Sequence, residues 1–407
     1  MVEQLTIESL GAQGDGVTAD GVFVPGALPG ETVRANPIGH RAELVEIVDP
    51  APDRQSAACP HFGQCGGCSL QHASDGLLSI WKQDLLRRAL VARGIDGIDI
   101  KPTITSPPRS RRRITLSGRR TKKTTVIGFH AAASDEVIPI TSCTVATAAI
   151  MAGLPKLERV VEVGTSRKGA LRITVTETEA GLDVAVEGGK PVEGGLYGEL
   201  VAIAATSDFA RLSWDGDPVV TRRPPWIALG PSRVVPPPGG FLQATKAGEE
   251  ALLAGTLAAI GNARRIVDLF AGSGTFSLPL AQQAEVHAVE NQAEALEALD
   301  AAWRQTPGLK MVEHEVRDLY RRPLLPAEFK SFDAVVLDPP RVGARAQCEH
   351  LATADVARIA AASCNPATFA RDARTLIDGG FRLDWVQPID QFLWSPHVEL
   401  VAGFSRP

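Results

Sequence analysis

The chain has 407 residues, of which 44% are hydrophobic, and this is enough material for about two to four packed domains. No apolar run reaches the roughly 18 residues of a membrane helix, and the N-terminal residues lack the pattern of a signal peptide, so we expect a cytoplasmic protein without membrane contact. The net charge of −5 argues mildly against a nucleic-acid partner, although an uneven distribution of charge can outweigh the net value.

Residues 1–52 are predicted to form a small β-barrel. Short alternating runs at residues 4–7, 21–24 and 43–48 are separated by glycine and proline turns. The glycines that suit its tight corners are Gly11, Gly14, Gly16, Gly26 and Gly30. This pattern favours a five-stranded barrel, of which the oligonucleotide-binding type is one option.

A glycine-rich loop then carries three close cysteines, Cys59, Cys65 and Cys68. Six cysteines without a secretion signal favour metal binding or catalysis over a disulfide framework. A tetrahedral site needs a fourth ligand, and Cys143 is the cysteine of the neighbouring segment. Three close ligands and one remote ligand favour a [4Fe–4S] cluster over zinc, but His61 and His72 leave zinc as an alternative.

A helix is predicted after these cysteines, with Ser74 as its N-cap and Gly94 as its stop signal. Its apolar positions have helical spacing and are interpreted as core: Leu78, Trp81, Leu85 and Ala89.

A basic segment follows at residues 101–123, with no acidic residue in it. Its nine basic residues are Lys101, Arg109, Arg111, Arg112, Arg113, Arg119, Arg120, Lys122 and Lys123. An unbroken basic run on strand-like sequence favours contacts with phosphates over a merely exposed hairpin. Residues 125–220 continue with β-rich alternation.

A proline-rich segment at residues 223–240 marks a boundary, beyond which strands alternate with helices. The predicted strands are 267–270, 286–290 and 332–337, and the predicted helices are 275–284 and 292–304. This alternation indicates an α/β fold with a doubly wound parallel sheet. We therefore expect three domains, at residues 1–52, 53–235 and 236–407.

The first strand and helix of this α/β region are joined by a glycine turn, where a nucleotide can approach the backbone closely. Asp268 and Gly272-Ser273-Gly274 form the turn, and Glu290 ends the next strand, where it can accept both ribose hydroxyls. Ser277 replaces the third glycine of a dinucleotide fingerprint. The pattern favours S-adenosylmethionine over NAD.

Cys364, in the segment Ser363-Cys364-Asn365-Pro366, is the candidate nucleophile. A lone cysteine is usually a small buried hydrophobe. Here it follows the nucleotide signature and the segment Asp338-Pro339-Pro340-Arg341, and Glu399 lies downstream as a proton acceptor. A thiolate nucleophile, a bound nucleotide cofactor and a carboxylate base could serve a single reaction.

These motifs, with the cysteine loop and Gly240-Phe241-Leu242-Gln243, resemble those of the RNA (uracil-5-)-methyltransferases over essentially the whole chain. The resemblance implies a C-terminal Rossmann-like class I methyltransferase domain, a TRAM-type N-terminal barrel and a central β-rich iron–sulfur domain. It also implies S-adenosylmethionine as cofactor, a flipped uridine in a loop or single strand as substrate, and a covalent cysteine adduct.

The resemblance assigns roles to individual residues. Cys364 matches the nucleophile and Glu399 the general base. The cofactor-contacting positions are Gln243, Phe270, Thr275, Glu290, Asp318 and Asp338. The [4Fe–4S] ligands are Cys59, Cys65, Cys68 and Cys143. Two positions depart from the family. Thr245 stands two residues after Gln243, where Asn is frequent, so the hydrogen bonds of the missing amide must be supplied by another group. Thr275 stands after the glycines of the turn, where Asn is also common.

The four-cysteine cluster is typical of the 23S rRNA branch of the family, so rRNA is the expected partner, and no obligate protein partner is indicated. The alternatives are a tRNA uracil-C5 methyltransferase, and an amino-methyltransferase that uses the Asp-Pro-Pro motif. A non-enzymatic RNA-binding protein and an NAD-linked oxidoreductase are further alternatives.

Overall fold

The computed structural model describes residues 1–167 and 169–406. The first 49 residues form a six-stranded sheet in the order β1-β5-β6-β4-β3-β2. Its strands are β1 (Glu3–Thr6), β2 (Ser9–Leu10), β3 (Gly16–Val17), β4 (Phe23–Val24), β5 (Thr32–Ile38) and β6 (Arg41–Asp49). The sheet has six strands instead of the five that we expected. Within the described residues its two edge strands, β1 and β2, do not pair with each other. Closure into a barrel therefore remains a prediction.

Helix α1 (Asp75–Val91) begins where the sequence predicts, because the Ser74 hydroxyl accepts a hydrogen bond from the Leu77 N–H at 3.1 Å. Leu78 and Trp81 are buried as predicted, whereas Leu85 and Ala89 are only half-buried. The helix ends three residues before Gly94, which adopts a positive φ of 65°.

Two short strands follow α1, namely β7 (Asp99–Ile100) and β8 (Ile104–Thr105). They pair with a strand near the C-terminus and so join the C-terminal sheet, although they lie inside the segment 53–235 that we expected to form its own domain. Helix α1 also packs against C-terminal elements.

A seven-stranded sheet with the order β11-β10-β9-β12-β13-β14-β15 forms the centre of the chain. Its elements are β9 (Arg113–Arg120), β10 (Thr125–His130), β11 (Val137–Pro139), α2 (Ala148–Gly164), β12 (Ala170–Thr178), β13 (Gly181–Glu187), α3 (Gly195–Ser207), β14 (Arg211–Trp214) and β15 (Asp217–Thr221). The two helices pack on each other and on this sheet. A hairpin of β16 (Ile227–Leu229) and β17 (Ser232–Val234) lies in the proline-rich segment.

The C-terminal part is the expected α/β fold. Its elements are α4 (Lys246–Ile260), β18 (Arg265–Leu269), α5 (Ser277–Leu280), β19 (Glu285–Glu290), α6 (Ala293–Gln305), β20 (Val312–Val316), a 3₁₀ helix (Pro326–Ser331), β21 (Ala334–Leu337), α7 (Arg345–Leu351), β22 (Arg358–Ser363), α8 (Pro366–Asp378), β23 (Arg382–Asp390) and β24 (Glu399–Ser405). The nine-stranded sheet has the order β20-β19-β18-β21-β22-β24-β23-β7, with β8 also on β23.

Strands β18 to β22 run parallel, as predicted, and β24 pairs antiparallel with both β22 and β23. Buried hydrophobic clusters cover both faces of the sheet, which explains its continuous apolar strands. In the described part of the chain, no helix is long and apolar enough to cross a bilayer.

The predicted helix 275–284 is wrong in length, since the α-helix spans only Ser277–Leu280. Gly272 and Gly274 take positive φ values of 54° and 93°, so the turn extends further than predicted. Pro279 lacks a backbone N–H, which removes a hydrogen-bond donor from the short helix that follows.

Candidate active site

The strand register brings Cys364 and Glu399 together. In the antiparallel pair of β22 and β24, Ser363 lies opposite Leu400. Cys364 directly follows Ser363 and Glu399 directly precedes Leu400, so the same register places these two side chains at neighbouring strand ends. Asp338 follows β21, whose last residue pairs with β22 in parallel, so its carboxylate lies at the same edge. Two carboxyl groups and one thiol therefore converge.

Cys364 lies half-buried between β22 and α8, beside a cavity of about 520 Å³. The Asn365 side chain accepts a hydrogen bond from the Ala367 N–H at 3.0 Å and so caps α8, while its Nδ2 donates to the Arg341 carbonyl at 3.1 Å. These bonds hold the segments around Cys364 and Arg341 against each other.

Burial raises the pKa of the Cys364 thiol, and the negative charges of Glu399 and Asp338 raise it further, whereas Arg341 acts in the opposite direction. The two carboxyl groups are perturbed in the same sense. Burial raises the pKa of Glu399 to about 8, with a contribution from Asp338, and burial raises the pKa of Asp338 to about 7. Carboxyl groups with such values can gain and lose a proton near neutral pH.

Gln391, which sequence reasoning missed, contacts three parts of this site. Its amide meets Glu399, Gln243 and the backbone of Thr245. An uncharged glutamine in a loop carries no motif that marks it as functional. Its contacts with the site are visible only in the three-dimensional structure.

The glycine turn after β18 has the conformation of a ligand-binding loop. Phe270, a residue with a side chain, adopts a positive φ of 66°, a strained conformation that often occurs at functional sites. The Gly272 N–H donates to Glu290 Oε2 at 3.0 Å, which links the turn to the end of β19. A Cβ added at Gly272 would meet no heavy atom within 4 Å, so space is open beside this backbone.

Asp268 lies beneath the turn and has one carboxylate oxygen without a partner in the described part of the chain. The Ser277 hydroxyl donates to its Oδ2 at 2.6 Å, while its buried Oδ1 has no hydrogen-bond partner among the described residues. Burial raises the pKa of this carboxyl to about 7. The open space and the unpartnered oxygen fit a polar ligand in the turn.

The other predicted cofactor positions differ in what they do. Thr275 is half-buried directly after the turn. Asp318 Oδ1 accepts from the Tyr320 N–H at 2.9 Å, so this carboxylate also stabilises its own loop. Gln243 is only 2% exposed. Thr245, where the family often has Asn, caps α4 by accepting from the Gly248 N–H at 2.9 Å.

The four cysteines of the predicted cluster line one cavity of about 600 Å³. All four are free and half-buried. Burial raises the pKa of Cys68 to about 11, and the charges of the other three thiols contribute in the same direction, so the four lie near one another. Within the described ranges, however, no three Cys, His, Asp or Glu side chains form a group that could hold a metal ion.

The two histidines of the zinc alternative lie in different surroundings. His61 lines the cysteine cavity and accepts from the Thr141 N–H at 3.1 Å. His72 is buried against Phe62, and burial lowers its pKa to about 4. Of the two, only His61 lies on the cavity of the four thiols.

The cysteine cavity and the Cys364 cavity share part of their walls. The shared residues are Gln13, Arg341, Pro396 and His397. Gln13 belongs to the turn between β2 and β3, so the N-terminal sheet reaches the candidate active site. Nothing in the sequence around Gln13 indicates this proximity.

Comparisons with known proteins show the family of the chain. A family described as "Conserved hypothetical protein 95" matches residues 250–356. An uncharacterized RNA methyltransferase of Brucella suis is 46% identical over 406 residues, which cover 99% of this chain and 98% of that protein. The 23S rRNA (uracil(1939)-C(5))-methyltransferase of Cronobacter sakazakii is 30% identical over 424 residues, with coverage of 99% and 96%. The chain belongs to the RNA (uracil-5-)-methyltransferase family.

A solved structure leads to the same family. The tRNA (uracil-54, C5)-methyltransferase of Pyrococcus abyssi, in complex with S-adenosyl-L-homocysteine, superposes with a TM-score of 0.77. The two chains are 25% identical, with 98% of this chain and 99% of that chain covered. The C-terminal sheet of this RNA methyltransferase is therefore a class I methyltransferase fold, as predicted.

In this RNA methyltransferase, some side chains of the basic segment 101–123 are engaged in hydrogen bonds and others are exposed. Arg112 lies inside, where its Nη2 is 2.5 Å from Glu249 Oε2 and its Nε donates to the Gln243 carbonyl at 3.2 Å. Arg113 donates to the Gly239 carbonyl at 3.0 Å. Both hold the loop that contains Gly239 and Gln243 instead of forming an exposed ribbon. The exposed basic side chains are Arg109, Arg119, Arg120, Lys122 and Lys123.

Proposed function

We propose that the protein transfers a methyl group from S-adenosylmethionine to C5 of a uridine in 23S rRNA, through a covalent bond between Cys364 and C6 of the uracil. The observation that carries this proposal is the register of β22 and β24, which places the thiol of Cys364 beside the carboxyl group of Glu399. The activity named for the Cronobacter sakazakii relative supports the reaction and the substrate.

The chemistry explains why a thiol and a carboxyl group are needed together. Uracil C5 is a poor nucleophile until a thiolate adds to C6 and makes C5 electron-rich. S-adenosylmethionine supplies an electrophilic methyl group when bound. Glu399 then removes the proton from C5, and the electrons of that C–H bond expel the Cys364 thiolate from C6.

The raised pKa of Cys364 means that the free protein holds this residue as a thiol. Addition to C6 therefore requires loss of the thiol proton as the uridine binds. Arg341, whose charge favours the thiolate, lies on the shared cavity wall. Asp338, with a pKa of about 7, is the neighbouring group able to exchange a proton at neutral pH.

Six residues would hold the cofactor: Gln243, Phe270, Thr275, Glu290, Asp318 and Asp338. The open space at Gly272 and the unpartnered Oδ1 of Asp268 support a polar ligand at this turn. The complex of the Pyrococcus abyssi neighbour with S-adenosyl-L-homocysteine supports the choice of cofactor.

We further propose that Cys59, Cys65, Cys68 and Cys143 hold a [4Fe–4S] cluster. Four free thiols on one cavity support it. We also propose that residues 1–52 form a TRAM-type barrel that contacts RNA, followed by a central domain at 53–235 and a methyltransferase domain at 236–407, whose sheet also takes in β7 and β8 of the central segment.

A tRNA uridine is the second candidate substrate, because the Pyrococcus abyssi neighbour acts on tRNA. Mass mapping of rRNA and tRNA from a deletion strain, before and after incubation with the protein and S-adenosylmethionine, distinguishes the two. We expect 5-methyluridine to appear at one position in 23S rRNA. Its appearance only in tRNA would exclude the rRNA assignment, and a methyl group on nitrogen would exclude the uracil-C5 reaction.

The Cys364→Ala variant tests the nucleophile in the same assay. We expect no methyl transfer, with S-adenosylmethionine binding by calorimetry little changed. Cys348→Ala is the matched control, since Cys348 is buried in the core beside α8 and should be dispensable for chemistry. Full turnover by Cys364→Ala would contradict the mechanism.

A further inference from the structure

Gln391 occupies a fully buried position between the cofactor side and the base side of the site. It directly follows β23 and is 2% exposed. A Cβ added at Gly248 would lie 2.8 Å from its Cβ and from its Oε1, so the glycine at 248 makes the room that this side chain occupies. A buried amide at this place needs partners for each of its polar atoms.

The orientation of the amide follows from its hydrogen bond with the backbone. The Thr245 N–H lies 3.2 Å from the atom assigned as Gln391 Oε1. A backbone N–H can only donate, so the atom facing it must be the carbonyl oxygen. The Nε2 group therefore faces the opposite side, toward Gln243 and Glu399.

The two N–H bonds of Nε2 are divided between these two residues. One is directed to Gln243 Oε1 at 2.6 Å and the other to Glu399 Oε2. The amide thereby uses its acceptor and both donors at once. It joins a residue on the cofactor side, Gln243, to the carboxyl group that we propose as the base.

This arrangement also distinguishes the two oxygens of Glu399. Oε2 already accepts a hydrogen bond from the Gln391 amide, which cannot give up its hydrogen, so Gln391 leaves more lone pairs of Oε1 available to receive a proton. The titratable and charged groups that face Glu399 are Asp338, Cys364, Arg341 and Arg111. Among its neighbours, Gln391 is the neutral donor whose hydrogen bond stabilises the carboxylate against burial.

We infer that Gln391 is a positioning residue, which fixes the Glu399 carboxylate so that Oε1 removes the C5 proton, and which couples that carboxylate to the cofactor-side Gln243. Gln391 thus supplies the amide that is absent at position 245, where this chain has Thr instead of the frequent Asn. The inference rests on the proposed function, because it assigns the supporting group of the proposed base.

The test compares Gln391→Met with Gln347→Met. Methionine has nearly the length of glutamine but no N–H donor. Gln347 is 1% exposed and exchanges two hydrogen bonds with the Leu324 backbone, at 2.9 and 3.1 Å, so its variant also loses buried hydrogen bonds, but away from the site. Gln391→Asn, which keeps the amide on a shorter side chain, is the second variant.

The readout is the pH dependence of adduct resolution at saturating S-adenosylmethionine. In the unsubstituted protein the rate should rise as pH passes through about 8, because Glu399 must be ionised to accept the proton. For Gln391→Met we expect the midpoint to move up by about one pH unit, as fits the loss of one hydrogen bond to a charged group. The protein–RNA adduct should then accumulate at neutral pH. Gln391→Asn should shift the midpoint in the same direction, and Gln347→Met should not.

Each outcome bears on the inference. An unchanged midpoint in both Gln391 variants, with activity reduced only in proportion to lost thermal stability, would overturn it. Glu399→Gln, measured in parallel, separates this failure from failure of the proposed function. If Glu399→Gln accumulates adduct while the Gln391 variants behave as Gln347→Met does, the inference alone is wrong. If Glu399→Gln forms no adduct, the proposed mechanism itself is wrong.

Discussion

At the scale of single residues, the charged side chains near the site have two different tasks. Glu399 is buried and Asp338 is half-buried, and both have raised pKa values, which suits proton exchange. Arg112 and Glu249 form a buried pair, with side chains 12% and 8% exposed. Such a pair holds segments of chain in place, and removal of one partner leaves an uncompensated charge.

Arg112→Ala should therefore act on stability. We expect a loss of about 3–5 kcal/mol in the free energy of unfolding, because Glu249 would remain buried without its partner. Chemical denaturation measures this loss. The salt dependence of RNA binding should change little.

Simultaneous replacement of Arg119, Arg120, Lys122 and Lys123 by Ala is the matched comparison, since these side chains are exposed. If they neutralise phosphates of single-stranded RNA, the slope of log affinity against log salt should fall by roughly 0.7 for each phosphate that is no longer neutralised, while stability stays nearly constant. A flattened slope in Arg112→Ala, without loss of stability, would restore the original interpretation of that residue.

At the scale of elements, the sequence predicts those features that depend on local chemistry. Helix α1 is predictable because Ser74 is an N-cap and the apolar spacing is helical. The parallel strands are predictable from their apolar runs. The length of α5 is not, because the conformation of the glycine turn and the effect of Pro279 depend on the surrounding fold.

The function that we propose for the loop with Cys59, Cys65 and Cys68 requires Cys143, which lies far away in the sequence. If the four hold a [4Fe–4S] cluster, protein purified without oxygen should contain iron and sulfide and absorb visible light. Cys143→Ser should lose most of the iron, whereas Cys348→Ser should retain it. Stoichiometric zinc without sulfide would contradict the cluster.

At the scale of the whole molecule, three regions of the chain meet at the candidate site. Gln13 comes from the N-terminal sheet, and Arg111 and the cysteine loop come from the central region. Cys364 and Glu399 come from the C-terminal sheet. Sequence motifs could identify Cys364 and Glu399 as candidates, but their proximity depends on the register of β22 and β24. The presence of Gln13 and Gln391 at the candidate site could not be predicted from the sequence, because neither lies in a motif and only the tertiary structure brings them close to Cys364 and Glu399.

The central claim is that Cys364 forms a covalent bond to the RNA base and that Glu399 is needed to release it. The most direct measurement is denaturing electrophoresis of Glu399→Gln after incubation with substrate RNA and S-adenosylmethionine. The amide oxygen at position 399 can still accept from Gln391, so the fold should persist. We predict a protein–RNA band that resists denaturation and that disappears when Cys364→Ala is added to the same chain. Ready turnover of Glu399→Gln without such a band would contradict the account.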